Sequence, residues 1–186
     1  MKEFTGARTG EALEKRVARL EDIEDIKNLK ERYAALCDND YDPDGLAALF
    51  VEDAKWESNL VGSYHGRDAI REYMRRSSQE ITWAEHFVIA PVVNVAADGQ
   101  TATGTWFILL LGTMSGQGGL ETNLPVIVAA NYSDTFVKVD GEWRFKSLYT
   151  DLKMMADIRE GWAEHPFGRE NLPQRMAPPT DSGGER

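Results

Sequence analysis

A chain of 186 residues with 42% apolar content fits one globular domain with a sizeable core and excludes a disordered chain. Its 31 acidic and 21 basic residues leave a formal net charge of −10, which repels nucleic-acid phosphates and anionic lipid, so neither is an expected partner. The single cysteine, Cys37, the missing secretory h-region and the absence of any run near a span's roughly 18 apolar residues point to a cytoplasmic protein.

The first ten residues are expected to be flexible and one domain to run from 11 to 160. Within it Leu13, Val17, Leu20, Ile23, Ile26, Leu29, Tyr33 and Leu36 recur at steps of three or four, the helical signature. Repeated steps of three drift by about 60° each on a helix of 3.6 residues per turn. The pattern therefore predicts two segments, about 11–20 and 22–38, with Asp22 as the cap between them. A short helix is expected from Leu46 to Phe50, after "DPDG". "AKWESNLVGSYHG" reads as a hairpin with turns at Gly62 and Gly66, and "RDAIREYMRR" as a helix that buries Ile70, Tyr73 and Met74.

From Trp83 the chain turns to four long strands rich in β-branched and aromatic residues. "ADGQ" and "VDGE" are Asp-Gly hairpin turns, whereas "SGQGGLETNL" is a looser link. Residues 161–186 form a tail with several prolines that should fray at its end. Helices followed by antiparallel strands give an α+β fold. A strongly curved antiparallel or mixed sheet wrapped around the N-terminal helices makes a cone-shaped barrel, and a cone of that kind holds a ligand. The apolar side of "WFILLL" suits a pocket wall, although a plain core needs the same residues.

Three histidines are present. His65 stands beside Gly66 at a hairpin end and His165 lies in the tail, so both read as structural or exposed. His86 opens an apolar strand, "EHFVI", where it is either a packed core residue or a general base. Its obvious acidic partner is Asp38, at the end of the second helical segment. An aspartate there opposes the helix dipole, so something other than helix stability places it. Tyr33 falls on the apolar stripe, where a buried hydroxyl needs a partner. Cys37 reads as a small buried apolar residue. There is no clustered metal-ligand set, no nucleophile elbow, no phosphate loop and no dinucleotide fingerprint. Acid–base chemistry without a metal or cofactor is what remains.

The order of elements, with "IKNLKERYAALCDNDYDPDGLAALFVEDAKW", the "YHGRDAI" step and "DGEWRFKS", resembles the SnoaL-like branch of the nuclear transport factor 2-like superfamily. The resemblance covers about Leu20 to Met155. That branch includes scytalone dehydratase, bile acid 7α-dehydratase and hexachlorocyclohexane dehydrochlorinase. It implies a cone-shaped trimer that performs eliminations without a cofactor. Carried over by motif, the family's aspartate falls on Asp38, its histidine on His86 and a tyrosine five residues before the aspartate on Tyr33. Leu110 stands where one relative has a further aspartate. The basic residue of the last strand has no clear counterpart, though Lys146 and Lys153 are near. Asn131 lies within one residue of a relative's asparagine, and a bulge would restore that match.

These readings converge on a lyase that removes water or a small group, formaldehyde included, from a hydrophobic aromatic or cyclic alcohol. His86, Asp38 and Tyr33 form the catalytic set, and Trp56, Trp106, Leu110 and Asn131 bind the substrate. An isomerase using the same pair, a non-catalytic small-molecule pocket and an assembly subunit of a larger enzyme are the rival readings. Whether Asp38 and His86 meet at one cavity separates the first reading from the non-catalytic pocket.

Overall fold

A computed structural model describes residues 13–115 and 123–168. The periodic N-terminal stretch is one helix, α1 (Leu13–Asp38), not two segments. The apolar stripe does rotate, and the helix tolerates this by leaving Leu13, Val17 and Leu20 exposed while Ile26, Leu29, Tyr33 and Cys37 are buried. Asp22 is no cap. Its carboxylate accepts a hydrogen bond from Trp143 Nε1 at 2.9 Å and pairs with Lys138, so it fastens the helix to the sheet instead of ending it.

The next helix, α2 (Pro43–Ala48), starts earlier than expected. Asp42 caps it by accepting from the Gly45 N–H at 3.1 Å, and Pro43 is preorganised for the first turn. Phe50 already belongs to β1 (Phe50–Ser58), which pairs antiparallel with β2 (Gly62–His65). Gly66, at φ 85°, is less a hairpin turn than the entry to α3 (Arg67–Glu80), where Ile70, Tyr73 and Met74 are buried as expected.

Four long strands follow: β3 (Ile81–Val95), β4 (Thr101–Met114), β5 (Leu124–Val139) and β6 (Glu142–Asp157). They lie antiparallel in chain order, and β1 joins β6 in parallel, giving a mixed six-stranded sheet ordered β2-β1-β6-β5-β4-β3. The sheet is curved but unclosed. Asp140 and Gly141, at φ 52° and 85°, form the two-residue turn that "VDGE" predicts between Val139 and Glu142. Register shifts bend the strands: one extra residue lies between Ile89 and Val92 of β3, where Ala90 has φ 54°, and others interrupt the β5–β6 ladder. Gly104 permits a close approach, since a Cβ there would sit 2.2 Å from the Trp106 ring.

Strand alternation sends Ile108, Leu110, Val126 and Val128 towards the helices. The outer face keeps Trp83, Phe87 and Ile89 of β3 and Phe107 of β4 exposed, with Ile89 directly opposite Phe107. Beyond β6, the Met155 N–H donates to Pro166 O at 2.8 Å and Phe167 packs on the core, so this first part of the tail is docked. The "SGQGG" glycines, the residues expected to be flexible at the N-terminus and the last part of the tail lie outside the described residues. No described helix is long and apolar enough to cross a membrane.

One ion pair sits inside this core. Lys30 Nζ of α1 lies 2.8 Å from Asp134 Oδ2 of β5, with both side chains wholly buried, and 3.2 Å from the centroid of the Tyr132 ring. Burial pushes the Lys30 ammonium's pKa down and the Asp134 carboxyl's up, and the contact between them opposes both shifts. Removing one partner leaves an uncompensated buried charge. Lys30→Met should therefore destabilise the fold by about 3–5 kcal/mol in urea titrations, while Lys30→Met with Asp134→Leu should recover most of that loss. Equal destabilisation by the single and double variants would show that packing, not charge, decides.

Candidate active site

Asp38 is the last residue of α1, and α1 lies against β3, which carries His86. Alternation along β3 turns Ala84, His86 and Val88 inward and leaves Glu85 and Phe87 outside. The helix end and the strand meet at one carboxylate. Asp38 accepts from the His86 backbone N–H at 3.0 and 3.2 Å and from His86 Nδ1 at 2.5 Å. The histidine side chain is 5% exposed and the aspartate 23%. An ionised carboxylate only accepts, so the proton of the neutral ring is assigned to Nδ1 and a lone pair to Nε2. The unfavourable position of Asp38 at a helix C-terminus is accounted for by this contact.

Nε2 faces a small, partly open chamber of about 80 Å³. Tyr33, Tyr41, Trp56, Tyr73, Leu110 and Tyr132 line it, with apolar side chains of β4, β5 and β6 and the hydroxyls of Ser58 and Thr150. Among the described residues no carboxylate, lysine or arginine lines it. Burial holds the Tyr33, Tyr41 and Tyr132 phenols well above their ordinary pKa, so they stay neutral donors. Burial likewise pushes the Cys37 thiol up, which leaves it a poor nucleophile. A larger depression of about 1010 Å³, lined by Arg67, Asn94, Arg144 and Lys146 among others, is open to solvent and contains neither Asp38 nor His86. The smaller chamber is the one that unites a basic nitrogen with water-excluding walls.

Of the residues picked from sequence, the fold brings Asp38, His86, Tyr33, Trp56 and Leu110 together. Tyr33 does not stand free, because its hydroxyl accepts from Trp56 Nε1 at 3.0 Å. Leu110 faces His86 across the β3–β4 pair. Trp106 and Asn131 do not reach the chamber. Trp106 is buried below it, against Phe136 and 5.4 Å from Lys30 Nζ. Asn131 belongs to the outward set of β5, since Ala130 and Tyr132 point inward and the β4–β5 register runs without a break that would turn it. Lys146 and Lys153 pair with Asp53 and Asp151 away from the chamber, and His65 and His165 are exposed.

Tyr41 is the residue that sequence reasoning missed. It lay in "DNDYD", which reads as a turn, and it is buried with its hydroxyl 3.4 Å from His86 Nε2 and its ring edge-on to the imidazole at 5.9 Å. The available signal was an aromatic residue in an otherwise polar turn, three residues after the aspartate. No group of three or more His, Cys, Asp or Glu among the described residues could hold a metal ion.

A model of the SnoaL-like domain matches residues 18–149. A solved protein from Novosphingobium aromaticivorans DSM 12444, provisionally named a scytalone dehydratase, superposes with a TM-score of 0.67 at 24% identity, covering 76% of this chain and 91% of that one. Hexachlorocyclohexane dehydrochlorinase LinA-type3 from Novosphingobium barchaimii LL02 gives a TM-score of 0.66 at 19% identity, over 75% and 92% of the two chains. A nuclear transport factor 2-like protein with a cystatin-like fold from Novosphingobium aromaticivorans gives 0.59 at 26% identity, over 80% and 92%. The matched span takes in both Asp38 and His86 along with five of the six strands and half of the sixth, and the chain belongs to the SnoaL-like domain family of the nuclear transport factor 2-like superfamily.

Proposed function

We propose that the protein is a lyase that eliminates water, or a comparable small group such as formaldehyde, from a hydrophobic aromatic or cyclic alcohol. The observation that carries this reading is His86 Nε2, oriented by Asp38 and aimed into an apolar chamber lined by no carboxylate, lysine or arginine among the described residues. A base oriented by a third group is an arrangement suited to proton abstraction from carbon. His86 takes the proton from carbon, and Asp38 fixes the tautomer and stabilises the imidazolium that results. Tyr33, whose oxygen already receives the Trp56 N–H, turns its own proton to the substrate's carbonyl or phenol; the indole contact strengthens it as a donor. Rings such as Trp56 and Tyr73, 4.3 Å apart, supply a surface for an aromatic ligand. Two structural relatives bear the names of a dehydratase and a dehydrochlorinase, which supports elimination as the reaction class.

The reading is tested by screening aromatic and cyclic alcohols and then comparing variants by turnover per folded molecule. His86→Ala should lower kcat by about 10²-fold or more, the ordinary contribution of a positioned base. Asp38→Asn should cost a similar amount, and the double variant little beyond either single, because the two groups act as one unit. Turnover should also survive exhaustive chelation. An His86→Ala protein with wild-type turnover would leave the histidine a packing residue and end the proposal.

We also propose a homotrimer, since Trp83, Phe87, Ile89 and Phe107 form an exposed apolar face of a kind that isolated chains seldom keep. Light scattering at micromolar concentration should give about three times 20.9 kDa, and Phe107→Glu should shift it towards the single-chain mass. A wild-type mass of one chain would refute the assembly.

A further inference from the structure

Elimination of water needs two proton transfers at one small site. A carbon must lose a proton, and the departing oxygen must gain one. His86 offers only Nε2 to the chamber, because Nδ1 is committed to Asp38. Beside that nitrogen stands one hydroxyl, Tyr41, at 3.4 Å, and no other described side chain makes a hydrogen bond to Nε2. Tyr33 makes no hydrogen bond to Nε2; its oxygen accepts from Trp56 Nε1, and its proton is assigned above to the substrate's carbonyl or phenol.

The backbone also shows that the placement of Tyr41 is enforced. Asp40 and Tyr41 follow one another in the left-handed region, at φ 56° and 51°. Aspartate tolerates that conformation, but for a bulky aromatic residue it is an outlier, at a helix end where glycine is usual. The Tyr41 N–H bond to Cys37 O at 3.1 Å and the Asp42 N–H bond to Leu36 O at 3.2 Å hold the turn closed. Strain kept in this way, with the ring delivered against the imidazole, points from geometry to use.

Resting on the lyase reading above, we propose that Tyr41 is the general acid that protonates the leaving oxygen and is then reprotonated by His86. In the step, His86 Nε2 accepts the proton from carbon, and the C–H electron pair becomes the new C=C bond. The C–O bond breaks with its pair going to oxygen, and the Tyr41 O–H proton completes a water molecule. The imidazolium Nε2–H then passes its proton to the Tyr41 oxygen, restoring both residues, so the sum is substrate to alkene plus water. Burial makes a free phenolate at Tyr41 costly, which couples the two transfers: the phenol gives up its proton as the imidazolium beside it becomes able to replace it. Substrate therefore enters by displacing the Tyr41–His86 contact, and the resting bond keeps Nε2 covered until then.

A pair of probes with the same carbon acid and different leaving groups tests this: a β-hydroxy aryl ketone and its 4-nitrophenyl ether. Nitrophenoxide departs without an acid, whereas hydroxide does not. Tyr41→Phe should slow loss of water by about 10²-fold and loss of nitrophenoxide at least tenfold less, while His86→Ala should impair both alike. Equal losses of both in Tyr41→Phe, or no loss of either, would overturn the acid role and leave the lyase reading standing. A wild type inert on both probes would overturn the lyase reading and the acid role with it. Without substrate, the ¹⁵N resonance of His86 Nε2 should move in Tyr41→Phe while that of Nδ1 holds. An unmoved Nε2 signal with an intact melting temperature would also refute the proposal.

Discussion

One carboxylate joins the end of a helix to the inside of a strand. Asp38 receives both the main-chain N–H and the ring N–H of His86, so it fixes the strand's position against α1 and the ring's tautomer at once. Were the aspartate to bind only the ring, small slips of β3 along the helix would carry the imidazole with them. Holding the backbone as well ties the direction of Nε2 to the fold itself. The cost of a negative side chain at a helix C-terminus is offset by these hydrogen bonds.

The interior is divided by polarity. Lys30 and Asp134 lie together beneath the Tyr132 ring, and the chamber with His86 lies beyond it. Each of the two buried ions would be intolerable alone, and a lysine ammonium facing His86 would suppress its protonation. Placing the ammonium against Asp134 and under aromatic faces keeps its charge neutralised locally. The chamber can then stay apolar while the core below it is not, so the Asp38–His86 contact acts in a surround of low polarity.

The pattern of residues made much of this readable. Runs of β-branched and aromatic residues and the Asp-Gly turns located the long strands, and the apolar face of "RDAIREYMRR" located α3, although Gly66 before it read as a hairpin turn. The Asp38–His86 pair was legible because a histidine in an apolar strand and an aspartate at a helix end each ask for a partner. Other features depended on contacts that no local pattern carries. Asp22 looks like a helix breaker until Trp143 and Lys138 arrive from β6 and β5 to occupy it. Trp106 and Asn131 were misplaced because sequence gives the alternation of faces but not how deep along a face the ligand space begins, nor which register shifts occur. Tyr41 was hidden since its backbone conformation, the feature that delivers its ring, is contrary to what its residue type favours.

The strand that carries His86 is also the last strand of the sheet. β3 ends the strand order, so apart from the His86 N–H that Asp38 takes, its far edge has no neighbouring strand among the described residues, and such an edge invites a stranger's backbone to add on. Ala90 and Pro91 interrupt it near the middle. The left-handed alanine kinks the edge, and the proline withdraws a donor. An incoming strand would find two separate stretches, Ile81–Ile89 and Val92–Val95, in place of one continuous ladder. The bulge that helps curve the wall thus also serves as a guard against fibrillar zippering, on the very strand whose apolar outer face would otherwise favour it.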